Sequence, residues 1–335
     1  MRDGRVFIAW VKHSRRSQLI AEKLGMRLFL VHALKRRPWL APLRYLLQSL
    51  ETWQILAREK PGLVFVQNPP IFAALIVYAY ARLWGARFVI DSHSAAFIGG
   101  AWRWSLPVHA FLSRRAVMTI VTNSHLEAQV RAWGAPTFII ADIPAVFPPG
   151  RPFPLDGRFS VAVINTFAPD EPLDEVLAAA RSLPEVQFLI TGDPIRANRA
   201  HLTNGPANVK FTGFLPDEDY LGLLRSVNAI VVLTTRDHTM QRGACEAVSL
   251  GKPIITSDWP LLREYFHKGT LHVDNTAASL AAAIREMQTR ERELEREVAE
   301  LQAERRLEWE TKQDQIERRL AAAGVPRPAP VAPPA

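Results

Sequence analysis

Glu246 stands three residues after Gly243 in the run Thr239-Met-Gln-Arg-Gly-Ala-Cys-Glu-Ala247, and these residue types at this spacing suit an anion beside a sugar. The run is expected to leave a strand end near Leu233, pass through a loop and enter a helix near Thr239 or Met240. The first turn of such a helix offers unpaired backbone N–H groups and the positive end of its dipole, and both favour a phosphate. Arg242 and Gly243 then stand where a diphosphate would rest. The Glu246 carboxylate suits a vicinal diol, whose two hydroxyls donate to its two oxygens; the plainer reading is a surface glutamate on an amphipathic helix. His238 has an imidazole that donates at one nitrogen and accepts at the other, so it suits sugar hydroxyls or a leaving phosphate. It reads equally as a loop histidine, with Arg236 and Asp237 beside it.

Other candidates sit at further strand ends. His93, in Asp91-Ser-His-Ser94, follows the apolar run Phe88–Ile90 and either faces a ligand or caps the next loop. The loop Trp10-Val-Lys-His-Ser-Arg-Arg-Ser17 lacks glycine, so Lys12, His13, Arg15 and Arg16 are the groups there that suit a phosphate or an anionic acceptor. A basic surface loop is the competing reading. Asn165 and Thr166 are the polar residues at the end of the strand that opens the second half. Thr191-Gly-Asp-Pro194, with Gly192, either lines a nucleotide pocket or makes an ordinary turn. Asp217-Glu-Asp219 has the look of a metal motif, but a helix start favours carboxylates for its own reasons, and no catalytic metal is expected.

The elements that must hold these residues alternate regularly. Strands are expected at Arg5–Val11, Arg27–Val31, Leu63–Gln67, Arg87–Asp91, Met118–Thr122 and Thr137–Ala141, with helices between them, notably Pro42–Glu59, Pro70–Leu83 and Leu126–Trp133. A second series follows at Ser160–Asn165, Gln187–Thr191, Val209–Thr212, Ala229–Leu233, Pro253–Thr256 and Thr270–Val273. Each series reads as a parallel sheet covered on both faces. Prolines 144, 148, 149, 152 and 154 mark the break between them. The expected division is an N-terminal domain 1–147, a linker 148–159, a C-terminal domain 160–290, a charged helical segment 291–323 and a disordered Pro/Ala tail 324–335. In the helical segment Met287, Leu294, Val298 and Leu301 form one stripe, which fails afterwards at Arg305, Glu308 and Lys312.

Charge is unevenly shared. Residues 1–150 carry 19 Lys and Arg against 7 Asp and Glu, while residues 151–280 carry 12 against 15, so the basic character belongs to the first half. An anionic partner is expected there. Lys35-Arg-Arg-Pro-Trp-Leu-Ala-Pro-Leu-Arg-Tyr45 leads into a helix with Leu43, Leu46, Leu47, Leu50 and Trp53 on one face, which suits an anionic membrane surface as well as it suits burial against the sheet. No aromatic-basic interleaving accompanies the charge, and nucleic acid is not an expected partner. A single cysteine, Cys245, excludes an internal disulfide framework and fits a reducing compartment. The first apolar run is short for a signal peptide and Ile71–Trp84 is short for a bilayer span, so a cytoplasmic protein is expected, with peripheral membrane contact open.

The run Glu246-Ala247…Gly251-Lys-Pro253 resembles the nucleotide-sugar site of glycosyltransferase family 4, retaining enzymes of GT-B architecture with two facing Rossmann-like, doubly wound domains. The resemblance implies that Glu246 holds the nucleotide ribose, with Ala247, Gly243, Arg242, Asn165 and Gly192 in the donor site. It implies that His93 is the first-domain histidine that reaches the donor sugar or its phosphate. His238 stands eight positions before Glu246, where that family usually has a glutamate, and the Arg/Lys diphosphate clamp usual at the start of the second domain is replaced by Asn165-Thr166. It further implies a last helix crossing back to the first domain, with Trp309, Ile316 and Leu320 as anchors. The expected function is a metal-independent, hexosyl-type retaining transferase in polysaccharide biosynthesis, moving a sugar from a nucleotide-diphosphate donor to a hydroxyl of a polysaccharide or lipid-linked acceptor, with no cofactor besides that donor. A catalytically weak or inactive nucleotide-sugar-binding protein of the same fold is the alternative.

Overall fold

The computed structural model describes residues 4–34, 38–97, 100, 102–203 and 205–327. Lys35 to Arg37 of the basic run and residues 328–335 of the Pro/Ala tail lie outside them. The chain divides into two compact units, Met1–Ile143 with Glu308–Ala335, and Pro144–Leu307.

The first unit runs β1 (Arg5–Ala9), α1 (Arg15–Lys23), β2 (Arg27–Leu30), α2 (Ala41–Glu59), β3 (Leu63–Asn68), α3 (Ile71–Trp84), β4 (Arg87–Ser92), α4 (Leu106–Ser113), β5 (Thr119–Val121), α5 (Ser124–Ala132) and β6 (Thr137–Ile139). Its six strands are parallel in the order β2-β1-β3-β4-β5-β6. β1 and β3 are buried at every position, as a parallel sheet clad on both faces requires. Val6, Ile8, Val64, Val66 and Ile90 pack on one face of the sheet, and Phe7, Phe65, Val89 and Ile120 on the other. Local signals fix the helix ends. Ser14 and Asn123 cap α1 and α5 through their side chains, and α3 stops at Gly85 in the left-handed region.

The second unit runs β7 (Phe159–Val163), α6 (Leu173–Arg181), β8 (Val186–Thr191), α7 (Arg199–Thr203), β9 (Val209–Gly213), α8 (Asp217–Ser226), β10 (Ala229–Val232), α9 (Arg242–Leu250), β11 (Ile254–Ser257), α10 (Pro260–Tyr265), β12 (Thr270–Val273) and α11 (Ala277–Ala322). Its sheet is also parallel, in the order β12-β11-β10-β7-β8-β9. All twelve expected strands are present within one or two residues of their expected ends.

One expectation needs correction. The helix carrying Glu246 starts at Arg242 rather than near Thr239, because Gln241 keeps an extended backbone (φ −89°, ψ 106°) and the loop runs on to it. On α2, where two faces competed for burial, it is Gln48, Thr52, Ile55 and Leu56 that are buried, while the leucine stripe faces away from the sheet. Among the described residues no helix is long and apolar enough to cross a membrane.

Candidate active site

In a doubly wound sheet, ligands bind beyond the carboxyl ends of the strands, where neighbouring connections leave in opposite directions. In the second unit that place lies between β7 and β10, and most of the second-half candidates gather there. The β10 loop is pinned at Thr234, which is fully buried. Its N–H donates to Ser257 Oγ (2.8 Å), and its carbonyl accepts from Trp259 Nε1 (2.9 Å) and Asn275 Nδ2 (3.0 Å). Asp170, in the β7 loop, ties the two loops together. Its carboxylate accepts from Thr234 Oγ1 (3.0 Å) and faces Arg236 Nη2 (3.3 Å), and its carbonyl accepts from Thr235 N (2.7 Å).

From this fixed base the chain enters α9. No side chain caps the helix and its first turn carries no acidic residue, so the positive end of the dipole is not offset within the helix. Gly243 is buried, and a Cβ built there would lie 2.8 Å from Ile164 Cδ1. The missing side chain is therefore what lets α9 press on the end of β7. Glu246 follows one turn in, half-buried, and its Oε2 accepts from Tyr220 Oη (2.8 Å). Tyr220 lies on α8, and no spacing in the sequence announces it. Ala247 is fully buried in the same helix, beside Glu246.

The remaining second-unit candidates are placed as follows. Asn165 is buried and its Oδ1 accepts from Phe167 N (2.6 Å), closing a turn in which Phe167 has φ 57°. Its side-chain acceptor thus shapes the loop. Glu171 holds the same loop through Thr166 N (2.7 Å), Thr166 Oγ1 (3.0 Å) and Ala168 N (3.0 Å). Gly192 (φ 116°) lies so close to the Asn165 carbonyl that a Cβ would overlap it, which brings the β8 loop onto the β7 loop. His238 is left-handed (φ 55°) and 40% exposed at its side chain, with its backbone N–H on Asp237 Oδ1 (2.6 Å) and its Nε2 3.4 Å from Asp237 Oδ2. Glu218 and Asp219 of the acidic run pair with Arg151 at 3.0 and 2.8 Å.

The first unit holds its own group. His93 is 29% exposed at its side chain, just past β4; its N–H donates to the Asn68 carbonyl (2.8 Å) and its Nε2 lies 3.3 Å from Asp91 Oδ2. Asp91 is wholly buried. Burial opposes its charge, yet the Arg16 guanidinium and the His93 hydrogen bond outweigh burial and hold its carboxyl well below the usual carboxylate range. Arg16 corrects the sequence reading. It is buried, with Nε and Nη2 on Asp91 and Nη1 on the Ile140 carbonyl (3.0 Å), so its guanidinium anchors the Asp91–His93 pair instead of standing exposed in the loop. Lys12 is exposed and Arg15 half-buried. Lys12 and His13 border a cavity of about 410 Å³ with Trp10, Arg44, Tyr45 and Trp102, at the point between β1 and β3 where this sheet's connections diverge.

Comparison with known proteins adds to this geometry. Residues 5–140 match the model described as a glycosyl transferase 4-like domain, and residues 160–290 the model described as glycosyl transferases group 1. Over 231 residues, 64% of this chain and 47% of the relative, the sequence is 26% identical to chitobiosyldiphosphodolichol beta-mannosyltransferase of Pongo abelii; the Homo sapiens protein of the same name is 25% identical over 240 residues, at the same coverage. The chain thus spans about half the length of the curated relatives it matches. Sucrose-phosphate synthase of Thermosynechococcus elongatus superposes with a TM-score of 0.70 at 16% identity, over 96% of this chain and 100% of that one. Anabaena HepE in complex with UDP and glucose gives 0.68 at 15%, over 95% and 100%.

Proposed function

The chain belongs to the GT-B glycosyltransferases, with a 4-like domain in its first half and a group 1 domain in its second, and from that premise we propose that it transfers a sugar, with retention of configuration, from a nucleotide-diphosphate donor to a hydroxyl of a polysaccharide or lipid-linked glycan. The observation that carries the donor half is the start of α9. There an uncapped first turn and the Glu246 carboxylate stand one helical turn apart on a glycine-packed helix, which matches the separation of a diphosphate from its ribose.

In this reading Glu246 accepts from both ribose hydroxyls while Tyr220 holds its carboxylate in place. The N–H groups of the α9 first turn and Arg242 take up the charge that grows on the departing diphosphate, the main electrostatic task of the reaction. The bond from the anomeric carbon to the phosphate oxygen breaks as the acceptor oxygen bonds to the same face. The acceptor proton passes to that departing phosphate oxygen, so no strong protein base is used. His93, its Nε2–H held by the Asp91 carboxylate, orients the donor sugar, and His238 takes the place of a carboxylate beside the donor. HepE, bound to UDP-glucose in its own structure, and the relatives named chitobiosyldiphosphodolichol beta-mannosyltransferase support a nucleoside diphosphate sugar and a lipid-linked acceptor as classes. We place the reaction in the cytoplasm, in keeping with a sequence that holds a single cysteine.

A panel of UDP-, GDP- and other activated sugars, read first by thermal stabilisation and then by turnover with membrane extract, tests the reading. The expected outcome is one donor class that stabilises the protein and is consumed, with the anomeric configuration of the linkage retained by NMR. A product of opposite configuration would refute the retaining step. Tight nucleotide binding without donor consumption would favour the weakly active alternative, which rests on His238 and on the use of Asn165 to close a turn.

A further inference from the structure

The leucine face of α2 is turned outward. Leu43, Leu46, Leu47 and Leu50 fall at i, i+3, i+4 and i+7, one side of the helix, and are 48, 56, 38 and 52% exposed. Trp39, just before the helix, is 71% exposed. The opposite side carries the polar residues inward. Gln48 Nε2 donates to the Val31 carbonyl (3.0 Å) and Thr52 Oγ1 accepts from Trp10 Nε1 (2.8 Å), so each buried group is satisfied. The helix is amphipathic the wrong way round for a soluble surface. Singly scattered apolar residues are ordinary, but four leucines along about 10 Å of one helix face form a patch.

The surroundings indicate what covers it. Beside α2 lies an aromatic cluster in which Tyr45 meets Phe72 at 4.9 Å, and Trp104 meets Phe72 at 5.9 Å and Trp102 at 6.0 Å. Trp104 is 59% exposed. The Arg44 guanidinium lies 4.9 Å from the Tyr45 ring centre, Arg103 is exposed next to Trp104, and Lys35, Arg36 and Arg37 precede Trp39 in the sequence. Indole rings and guanidinium groups flanking leucines match the layered polarity of a lipid headgroup boundary. Residues 1–150 carry 19 Lys and Arg against 7 Asp and Glu, so a second copy seated here would set like charge against like, whereas anionic lipid complements it.

We propose that the N-terminal half of α2 lies flat on an anionic bilayer, with Leu43, Leu46, Leu47, Leu50 and Trp39 at the acyl boundary and Arg44 and Arg103 among the headgroup phosphates. This deepens the reading of the acceptor as lipid-linked, and rests on it. Arg44, Tyr45 and Gln48 of the same helix also border the cavity that holds Lys12 and His13, which gives a lipid-borne phosphate or sugar a basic, aromatic-lined recess next to the docked helix.

The test uses the full chain and sedimentation with vesicles of phosphatidylcholine alone or with about a third phosphatidylglycerol. Binding is expected with the anionic vesicles, weakening as salt rises. The double variant Leu46→Gln/Leu50→Gln is expected to lower the partition coefficient at least tenfold at unchanged Tm and unchanged stabilisation by nucleotide sugar. In a second arm Leu47→Cys carries an environment-sensitive dye, Cys245 being buried, and its emission should shift to the blue on anionic vesicles. No wild-type binding, equal binding by the double variant, no dye shift, or a dimer that the double variant dissolves would each overturn the proposal. Absence of vesicle binding alongside intact donor turnover separates its failure from that of the transferase reading.

Discussion

At the scale of single residues, the proposed donor grip depends on one carboxylate and the phenol that steadies it. Replacing Glu246 by Ala removes both oxygens that the ribose would use, and donor affinity measured by calorimetry should fall at least tenfold, about 1.4 kcal/mol or more. Tyr220→Phe takes away a single hydrogen bond to that carboxylate, so its effect should be smaller, on the order of 0.5–1.5 kcal/mol. An equal or larger loss in the tyrosine variant would mean that Tyr220 meets the donor itself. A second residue gives a pH signature. His109 is wholly buried, its Nε2 on Ser92 Oγ (2.8 Å), and burial pushes its pKa down from 6.5 to about 3. The unfolded chain therefore takes up a proton near pH 6.5 that the folded protein refuses until about pH 3. Stability is whole above pH 6.5 and is lost as pH falls through that window, at up to roughly 1.4 kcal/mol per pH unit from this group. Asp91, with a lowered folded pKa, adds a loss in the same direction as pH falls below its usual value. Urea melts of His109→Gln should show a flatter dependence between about pH 6.5 and 4 than the parent; identical slopes would remove His109 as the cause.

At the scale of elements, α9 is held by absence as much as by contact. Gly243 leaves the space that Ile164 fills, and a methyl group there must shift the helix from the end of β7 or distort Ile164. Gly243→Ala is expected to cost about 1–3 kcal/mol in unfolding free energy and to weaken donor binding in parallel, because the same displacement moves the first-turn N–H groups. A variant that binds donor normally would show that the close approach serves stability alone. Asp170 acts between loops, fixing Thr234, Thr235 and Arg236 from the β7 side. None of this was legible in sequence. The glycine was visible as a loop residue, but which side chain occupies the space opposite it depends on a strand far earlier in the chain. The later start of α9 has a similar origin: Thr239, Met240 and Gln241 carry no strong local stop, so propensity let the helix begin early.

At the scale of the whole molecule, α11 contributes to both hydrophobic cores. Leu280, Ile284, Met287 and Leu294 pack in the core of the second unit, and Trp309, Ile316 and Leu320 in that of the first. The apolar stripe that fails after Leu301 resumes at Trp309 because the partner surface changes, and a new surface sets a new phase. Arg5 binds Glu317 through both guanidinium ends (2.6 and 2.9 Å) while buried, joining the first strand to the last helix. Removing one member leaves a buried charge unpaired, so Glu317→Ala should destabilise the first unit by about 3–5 kcal/mol. Limited proteolysis would then cut residues 4–143 before 144–307. Equal protection of both segments would sink this assignment.

The chain's own pattern determined two parallel sheets, the position of every strand and the presence of a helix carrying Glu246 after β10, because apolar runs, glycines and helix signals are local features that each segment carries by itself. It also placed His93 just past a strand end and Glu246 in the helix that follows another, on the side where a doubly wound sheet presents its ligand groups. Tertiary structure alone decided that Arg16 is engaged by Asp91, that Tyr220 holds Glu246, and that the leucines of α2 face outward. Those outcomes turn on which of several competing partners each group meets. A guanidinium suits a carboxylate as well as a phosphate, and an apolar stripe suits a sheet as well as a membrane, until packing brings one partner within reach.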